Sequence, residues 1–395
     1  MPGRAGLIAV LVVLTLVAFT LGAPAWAERV AVGYLALVPP EHGPLVALDP
    51  PIADEGVQGA RLALTDNQTT GRFLGLEFTL HEQLMPDAAG ALAAARAMLA
   101  GGERVIVTDL PADILLQVAD LPEAKDAIFL DSTSTDDRLR GADCRRQVLH
   151  LLPSTSMLAD ALGQYLAVKR WRNVLLVQGP LPADKLFADA LRRAAKKFQL
   201  KIVADKSWIF EPGAQRTDTG HMGIAAEAAR FTQGLSYDVL LVADTSGDFG
   251  DDLAYRTTDP RPIAGTQGLV PTAWAHLFEQ WGATQMQLRF QKQAGRALTA
   301  KDFGAWMAVR AVGEAAVRGG SVTGIGAYLR GPKFELAAFK GSRLTFRAWD
   351  GQLRQPVLLM EARGLVSVSP QPGYLHQTSE LDTLGIDQPE TACKF

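Results

Sequence analysis

Residues Arg104–Asp113 read RVIVTDLPAD. Val105–Thr108 is an unbroken apolar and β-branched run, bounded by Gly101-Gly102 on one side and Leu110-Pro111 on the other. A run this short, without polar alternation, predicts a strand buried on both faces. Pro111 then opens a helix that extends to Ala119, since proline is tolerated in a first helical turn. Asp109 stands at the carboxyl end of this strand, and Asp113 falls in the first turn of the helix.

The same unit recurs in both directions. Upstream, Val30–Leu37 reads as a strand, Glu55–Asp66 as a helix and Leu74–His81 as a strand. Asp87–Leu99 reads as a helix that Asp87 can cap and Gly101-Gly102 can end. Downstream, Ala127–Leu130 is a strand. Val148–Leu152 leads to Ser154, a cap for the helix Met157–Lys169. Asn173–Gln178, Lys201–Trp208 and Val239–Asp244 alternate as strands with the helices Ala183–Phe198 and Met222–Thr232. Strands alternating with helices imply right-handed βαβ crossovers and parallel sheets. Two such blocks predict two α/β domains. After Gly268 the pattern changes: Thr272–Gly282 and Asp302–Arg318 read as helices. Asp350-Gly351 signals a type I′ hairpin between Leu344–Trp349 and Leu353–Met360.

The chain has 395 residues, 48% hydrophobic and 21% charged, with a formal net charge of −3. This balance offers no electrostatic reason for a nucleic-acid or anionic-membrane partner. Residues 1–27 have the layout of a cleaved signal peptide. Arg4 precedes the apolar run Leu7–Leu21, Pro24 breaks it, and Ala25-Trp26-Ala27 fits a cleavage site. Export to an oxidising compartment leads us to expect that the two cysteines, Cys144 and Cys393, form a disulfide.

Catalytic signatures are missing. There is no G-x-S-x-G, no H-E-x-x-H, no P-loop and no G-x-G-x-x-G after the first strand, and the histidines have no metal-ligand spacing. Polar clusters do gather at strand ends, where ligands bind in parallel α/β sheets. They are Asp109 and Asp113; Asp131, Ser132, Thr133, Ser134 and Thr135; Gln178; and Asp244, Thr245, Ser246 and Asp248. In the stretch Ile263–Leu269, IAGTQGL, local chemistry alone favours an ordinary turn around Gln267.

Taken in order, PIADEGVQGARLALTD (Pro51–Asp66), RVIVTDLPAD, FLDSTSTDDRLRG (Phe129–Gly141), QVLHLLPS (Gln147–Ser154) and IAGTQGL resemble type I periplasmic solute-binding proteins of the branched-chain amino acid ABC transporter class. DDRLRGADCRRQVLHLLPS (Asp136–Ser154), GTQGL (Gly265–Leu269), WDGQLRQPVLL (Trp349–Leu359) and the ending Cys393-Lys394-Phe395 also resemble the subgroup found with pyrroloquinoline-quinone-dependent alcohol dehydrogenase systems. The resemblance implies two Rossmann-like lobes with parallel sheets, joined by a three-crossover hinge. Lobe one would comprise 28–146 plus 269–330, lobe two 147–268 plus 331–360, with 361–395 as a C-terminal tail. It implies a non-enzymatic protein without a cofactor, which delivers a small solute to an ABC permease with its ATPase subunits.

In amino-acid binders of this family a carboxylate at the position of Gln267 holds the ligand ammonium. Small hydroxyl residues after the third strand hold its carboxylate. Here those positions carry Gln267, Ala112 and Asp113, so a standard α-amino acid is a poor fit and a neutral, hydroxyl-bearing or aromatic solute a better one. The implied site is Asp109, Asp113, Ser132, Ser134 and Thr135 from lobe one, facing Gln178, Asp244 and Gln267 from lobe two. Tyr34 and Trp274 are candidates for stacking on an aromatic ligand. Two alternatives share the clamshell: a sensor or accessory protein that docks on a dehydrogenase, and a hard-cation binder built on Asp109, Asp113, Asp131, Asp244 and Asp248.

Overall fold

A computed structural model of the protein describes residues 27–38, 52–208, 228–319 and 322–395. The expected signal peptide lies outside the described residues but for Ala27. Of the expected helix Met222–Thr232, residues 228–232 are described and are helical.

The first block forms β1 (Glu28–Leu37), α1 (Val57–Leu74), β2 (Leu76–Met85), α2 (Ala88–Ala100), β3 (Val105–Asp109), α3 (Ala112–Ala119), β4 (Ile128–Asp131) and β5 (Val148–His150). These strands pair in parallel in the order β2-β1-β3-β4-β5. The local signals hold: the Asp87 carboxylate accepts from Gly90 N at the start of α2, and β3 is buried along Val105–Thr108.

The second block forms α4 (Thr155–Lys169), β6 (Asn173–Gln178), α5 (Pro182–Lys197), β7 (Lys201–Ser207), β8 (Val239–Ala243) and β9 (Ile263–Gly265). Ser154 caps α4 by accepting from Met157 N. The strands form a parallel sheet in the order β7-β6-β8-β9. This is the expected two-lobe α/β architecture.

A third, antiparallel sheet joins β10 (Val270–Thr272), β13 (Val357–Glu361) and β14 (Gly364–Ser369). It lies between the two cores. Successive side chains of a strand point to opposite faces, and in β13 Leu358 and Met360 enter the first core while Val357 and Leu359 enter the second. Between β10 and β13 in the chain come α6 (Ala283–Ala294), α7 (Ala300–Arg318) and the short pair β11 (Leu336–Ala337) and β12 (Arg343–Leu344). Helix α7 starts in a Thr299–Asp302 capping box and runs against α1 so closely that a Cβ on Gly59 would meet Asp302 O at 1.8 Å.

Several expectations need correction. Thr272–Gly282 is not a helix. Trp281 and Gly282 adopt left-handed φ values of 57° and 85°, and the regular helix begins only at Ala283. The Asp350-Gly351 turn is not type I′: only Gly351 has a positive φ, 70°, and Gly351 N donates to Arg347 O, closing a wider loop. The expected lobe boundary at Arg146/Gln147 falls just before β5, which pairs with β4 in the first sheet. Residues 331–360, expected in lobe two, place Leu336, Ala338, Leu344 and Leu353 in the first core.

Buried side chains tie the crossing segments together. Gln352 Nε2 donates to Leu152 O (2.9 Å) and Gln355 Nε2 to Leu151 O (2.5 Å). The buried Lys340 Nζ donates to Ala273 O and to Pro356 O. The C-terminal tail docks first on the second lobe, where Lys197 Nζ reaches Thr383 O and Gly385 O, and Asp160 accepts from Gly385 N. It then returns to the first lobe. Thr391 Oγ1 donates to Arg140 O, and Cys393 is bonded to Cys144 with a Cα–Cα distance of 5.6 Å.

Candidate functional site

The carboxyl ends of both parallel sheets open into one cleft of about 1010 Å3. From the first lobe it is lined by Leu37 and Val38 at the end of β1, Asp109 and Leu110 at the end of β3, the loop Thr133–Asp136 after β4, Glu55 just before α1 and Lys301 in the first turn of α7. From the second lobe come Leu186 and Phe187 of α5, Asp244–Gly247 after β8, and Gly265–Gln267 after β9. Both lobes therefore supply hydroxyls: Thr133, Ser134 and Thr135 on one side, Thr245, Ser246 and Thr266 on the other.

In each lobe a buried aspartate at a strand end shapes the hydroxyl-bearing loop. Asp131, fully buried at the end of β4, accepts from Thr133 N and Ser134 N through Oδ1 and faces His150 Nδ1 at 2.7 Å through Oδ2. Asp244, directly after β8, accepts from Ser246 Oγ and from the backbone N–H groups of Gly247, Asp248, Phe249 and Gly250, at 2.7–3.1 Å. A carboxylate with this many donors has little acceptor capacity left for a ligand. Asp244 is thus a positioning residue.

Asp109 is the acidic group with a different character. It accepts a single side-chain hydrogen bond, from Thr133 Oγ1 at 2.8 Å. Burial pushes its carboxyl above the ordinary value and nearby Glu55 and Asp131 add to the rise, while the Lys301 charge and the Thr133 hydroxyl hold it down. Lys301 Nζ lies 3.5 Å from Glu55 Oε2. The Asp109 charge, after burial itself, in turn raises the phenol of Tyr34 far above its usual range.

The structure brings together Asp109, Ser134, Thr135, Asp244 and Gln267 of the expected residues. Gln267 is buried and satisfied within its own lobe: Nε2 donates to Asp244 O at 2.9 Å and Oε1 accepts from Thr266 Oγ1 at 2.5 Å. Asp113 is not in the cleft. Its side chain is 76% exposed and pairs with Arg138 at 2.5 Å. Ser132 is fully buried and donates to Thr108 O. Gln178 accepts from Arg192 on α5, away from the cleft lining. Tyr34 and Trp274 are core aromatics, Trp274 being stacked on Phe303 at 4.3 Å. Among the described residues no group of three or more His, Cys, Asp or Glu could hold a metal ion, so the aspartates proposed for a hard cation do not converge.

Glu55, Thr155, Thr266 and Lys301 line the cleft but escaped the sequence reading. Lys301 had a usable signal: it lies in the first turn behind the Thr299–Asp302 capping pair, where a helix start meets a strand-end surface.

The periplasmic binding protein profile matches residues 47–365. The chain belongs to the periplasmic binding protein family. Members capture solutes and are not enzymes, and the family is exported to the periplasm. Among the described residues no helix of this periplasmic binding protein is long and apolar enough to cross a membrane. No curated protein matches it. Solved structures share its fold at low identity. A periplasmic binding protein from Burkholderia mallei superposes with a TM-score of 0.65 at 16% identity, covering 93% of this chain and 99% of the other. A branched-chain amino acid ABC transporter periplasmic ligand-binding protein from Burkholderia xenovorans gives 0.67 at 16% identity, with coverage of 86% and 95%. A solute-binding protein of an ABC transporter from R. palustris, in complex with benzoate, gives 0.64 at 13% identity, with coverage of 93% and 100%.

Proposed function

We propose that this protein is the substrate-binding component of an ABC transporter, holding an uncharged, hydroxyl-bearing solute between its lobes and handing it to a permease with its ATPase subunits. The observation that carries the reading is Asp109. A half-buried carboxylate facing the cleft, with Glu55 and Asp136 also on the wall, repels a ligand carboxylate. It accepts readily from a ligand hydroxyl. The one cation on the cleft wall among the described residues, Lys301, already lies beside Glu55. Leucine-type ligands and benzoate, which related structures hold, both carry a carboxylate and suit this wall poorly. Apolar neighbours such as Leu110, Leu186 and Phe187 leave room for a short hydrocarbon part beside the hydroxyl.

Export through a leader cleaved after Ala27 belongs to the same proposal. So does a link to quinone-dependent alcohol oxidation, supported by the resemblance carried by Asp136–Ser154, Gly265–Leu269 and Trp349–Leu359. Calorimetric titration with leucine, valine, benzoate and a series of small alcohols and polyols tests the solute class. Binding of a neutral hydroxylated compound, weakened at least about tenfold in Asp109→Ala, is expected, which corresponds to about 1.4 kcal/mol. Micromolar affinity for leucine or benzoate would overturn it. Disrupting the gene in its host and measuring alcohol-dependent growth tests the physiological link.

A further inference from the structure

The amino ends of the first sheet lie opposite the cleft, and a second recess of about 720 Å3 opens there. Each strand that borders it is entered through a basic residue. Arg29 lies at the start of β1, Arg104 directly before β3, Lys125 shortly before β4 and Arg146 shortly before β5. Arg330 joins them from the end of the short helix Ile325–Leu329. The acids on this wall are Glu103 and Asp126, and Glu103 is already engaged by His81 at 2.5 Å.

Many arginines elsewhere in this protein are paired, among them Arg61 with Glu82, Arg145 with Asp120, Arg192 with Asp205 and Arg296 with Asp302. In the recess, Arg29, Lys125, Arg146 and Arg330 have no hydrogen-bond or ion-pair partner among the described residues. Arg330, like the other four cations, is solvent-exposed. Its guanidinium is nonetheless disfavoured, first by burial and then by the charge of Arg146. Five cations against two acids at one concave site raise the local concentration of anions. Arg104 is fixed in place through Nη1, which donates to Leu99 O and Glu103 O. A planar guanidinium matches phosphate oxygens two at a time.

We propose that this recess is a second binding site, for a small phosphate-bearing anion, separate from the solute cleft. Several cations lining one recess of this volume suit a group with more than one negative charge better than a monocarboxylate. The phosphate can come from a free phosphorylated molecule or from a phospholipid headgroup.

Isothermal titration of the full protein with sodium pyrophosphate tests the site, with Arg146→Gln/Arg330→Gln as the variant. One saturable site is expected, weakened by added salt and at least about tenfold weaker in the double variant. The variant should melt no lower than the parent without pyrophosphate, because it relieves repulsion. If it melts lower, Arg146→Lys/Arg330→Lys replaces it, which keeps charge but loses the two-pronged geometry and should bind more weakly than the parent. Asp109→Ala in the cleft should leave pyrophosphate affinity unchanged, which keeps this test independent of the solute assignment. Sedimentation with phosphatidylglycerol vesicles, against phosphatidylcholine vesicles, distinguishes the sources: arginine-dependent binding to the former identifies a headgroup, and its absence beside pyrophosphate binding identifies a free molecule. No saturable binding at millimolar pyrophosphate, or an affinity the arginine variants leave unchanged, overturns the proposal.

Discussion

Replacing Cys393 by serine opens a covalent loop that encloses nearly all of the second lobe, since the bonded cysteines are 249 positions apart. For a loop of that length, closure entropy in the unfolded chain amounts to about 5.5 kcal/mol at 25 °C. This is a ceiling. The tail keeps its other anchors at Lys197, Asp160 and Arg140 when the bond is cut, and compact denatured chains lose less entropy than ideal ones. The expected loss is therefore about 2–5 kcal/mol. Urea melts of the oxidised protein, the reduced protein and Cys393→Ser, followed by tryptophan fluorescence and by circular dichroism, measure it. Reductant should lower the midpoint of the parent and leave that of the variant unmoved. The two probes must coincide for the difference to be read as one free energy. A loss below about 1 kcal/mol, under the range seen for native crosslinks, would refute the entropic argument, and free alkylation of both thiols in exported protein would refute the bond itself.

Other expectations follow from single buried groups. Asp244→Ala orphans four backbone N–H groups, so it should cost about 3 kcal/mol or more and abolish solute binding; thermal melts and calorimetry measure both. Asp382→Ala removes the acidic partner that Arg347 and Arg354 both bond at 2.8 Å, leaving Arg354 without one and Arg347 with Asp350 alone at 3.7 Å; it should destabilise by about 3–5 kcal/mol in urea melts. Burial lowers Lys340 from its ordinary value of 10.5 to about 7. Between these values the unfolded chain binds a proton that the folded one does not, so stability should rise with pH by about 1.4 kcal/mol per unit from this group. Below pH 7 both states are protonated and the slope vanishes. Lys340→Met should lack the slope, which melts at pH 6, 8 and 9.5 would reveal; equal slopes in parent and variant would exclude a neutral Lys340.

What the sequence disclosed is what local chemistry determines. Val105–Thr108 became a buried strand, and Asp87 and Ser154 cap the helices they precede, because each signal spans a few residues. The stretch Thr272–Gly282 misled because Ala273, Trp274 and Phe278 are buried along an irregular path, where apolar spacing mimics a helix. At the site, strand ends marked the right surface but not the orientation of each group. Asp113 looked like a cleft residue until Arg138, 25 positions away, claimed it. Asp244 looked like a ligand contact, yet the loop that follows folds back around its carboxylate. Partners distant in sequence, such as Glu55 and Lys301, have no local signature of meeting.

The path of the C-terminal tail bears on hinge motion. Between its anchor at Gly385 on one lobe and Cys393 on the other, the chain has eight peptide steps. Fully extended, those steps reach no further than about 26–29 Å. The tail thus acts as a leash with a set maximum length: the halves can part freely until it is taut and no further. Because the leash is closed by sulfur, the widest aperture open to an arriving solute becomes a property of the redox state of the surroundings as well as of the hinge.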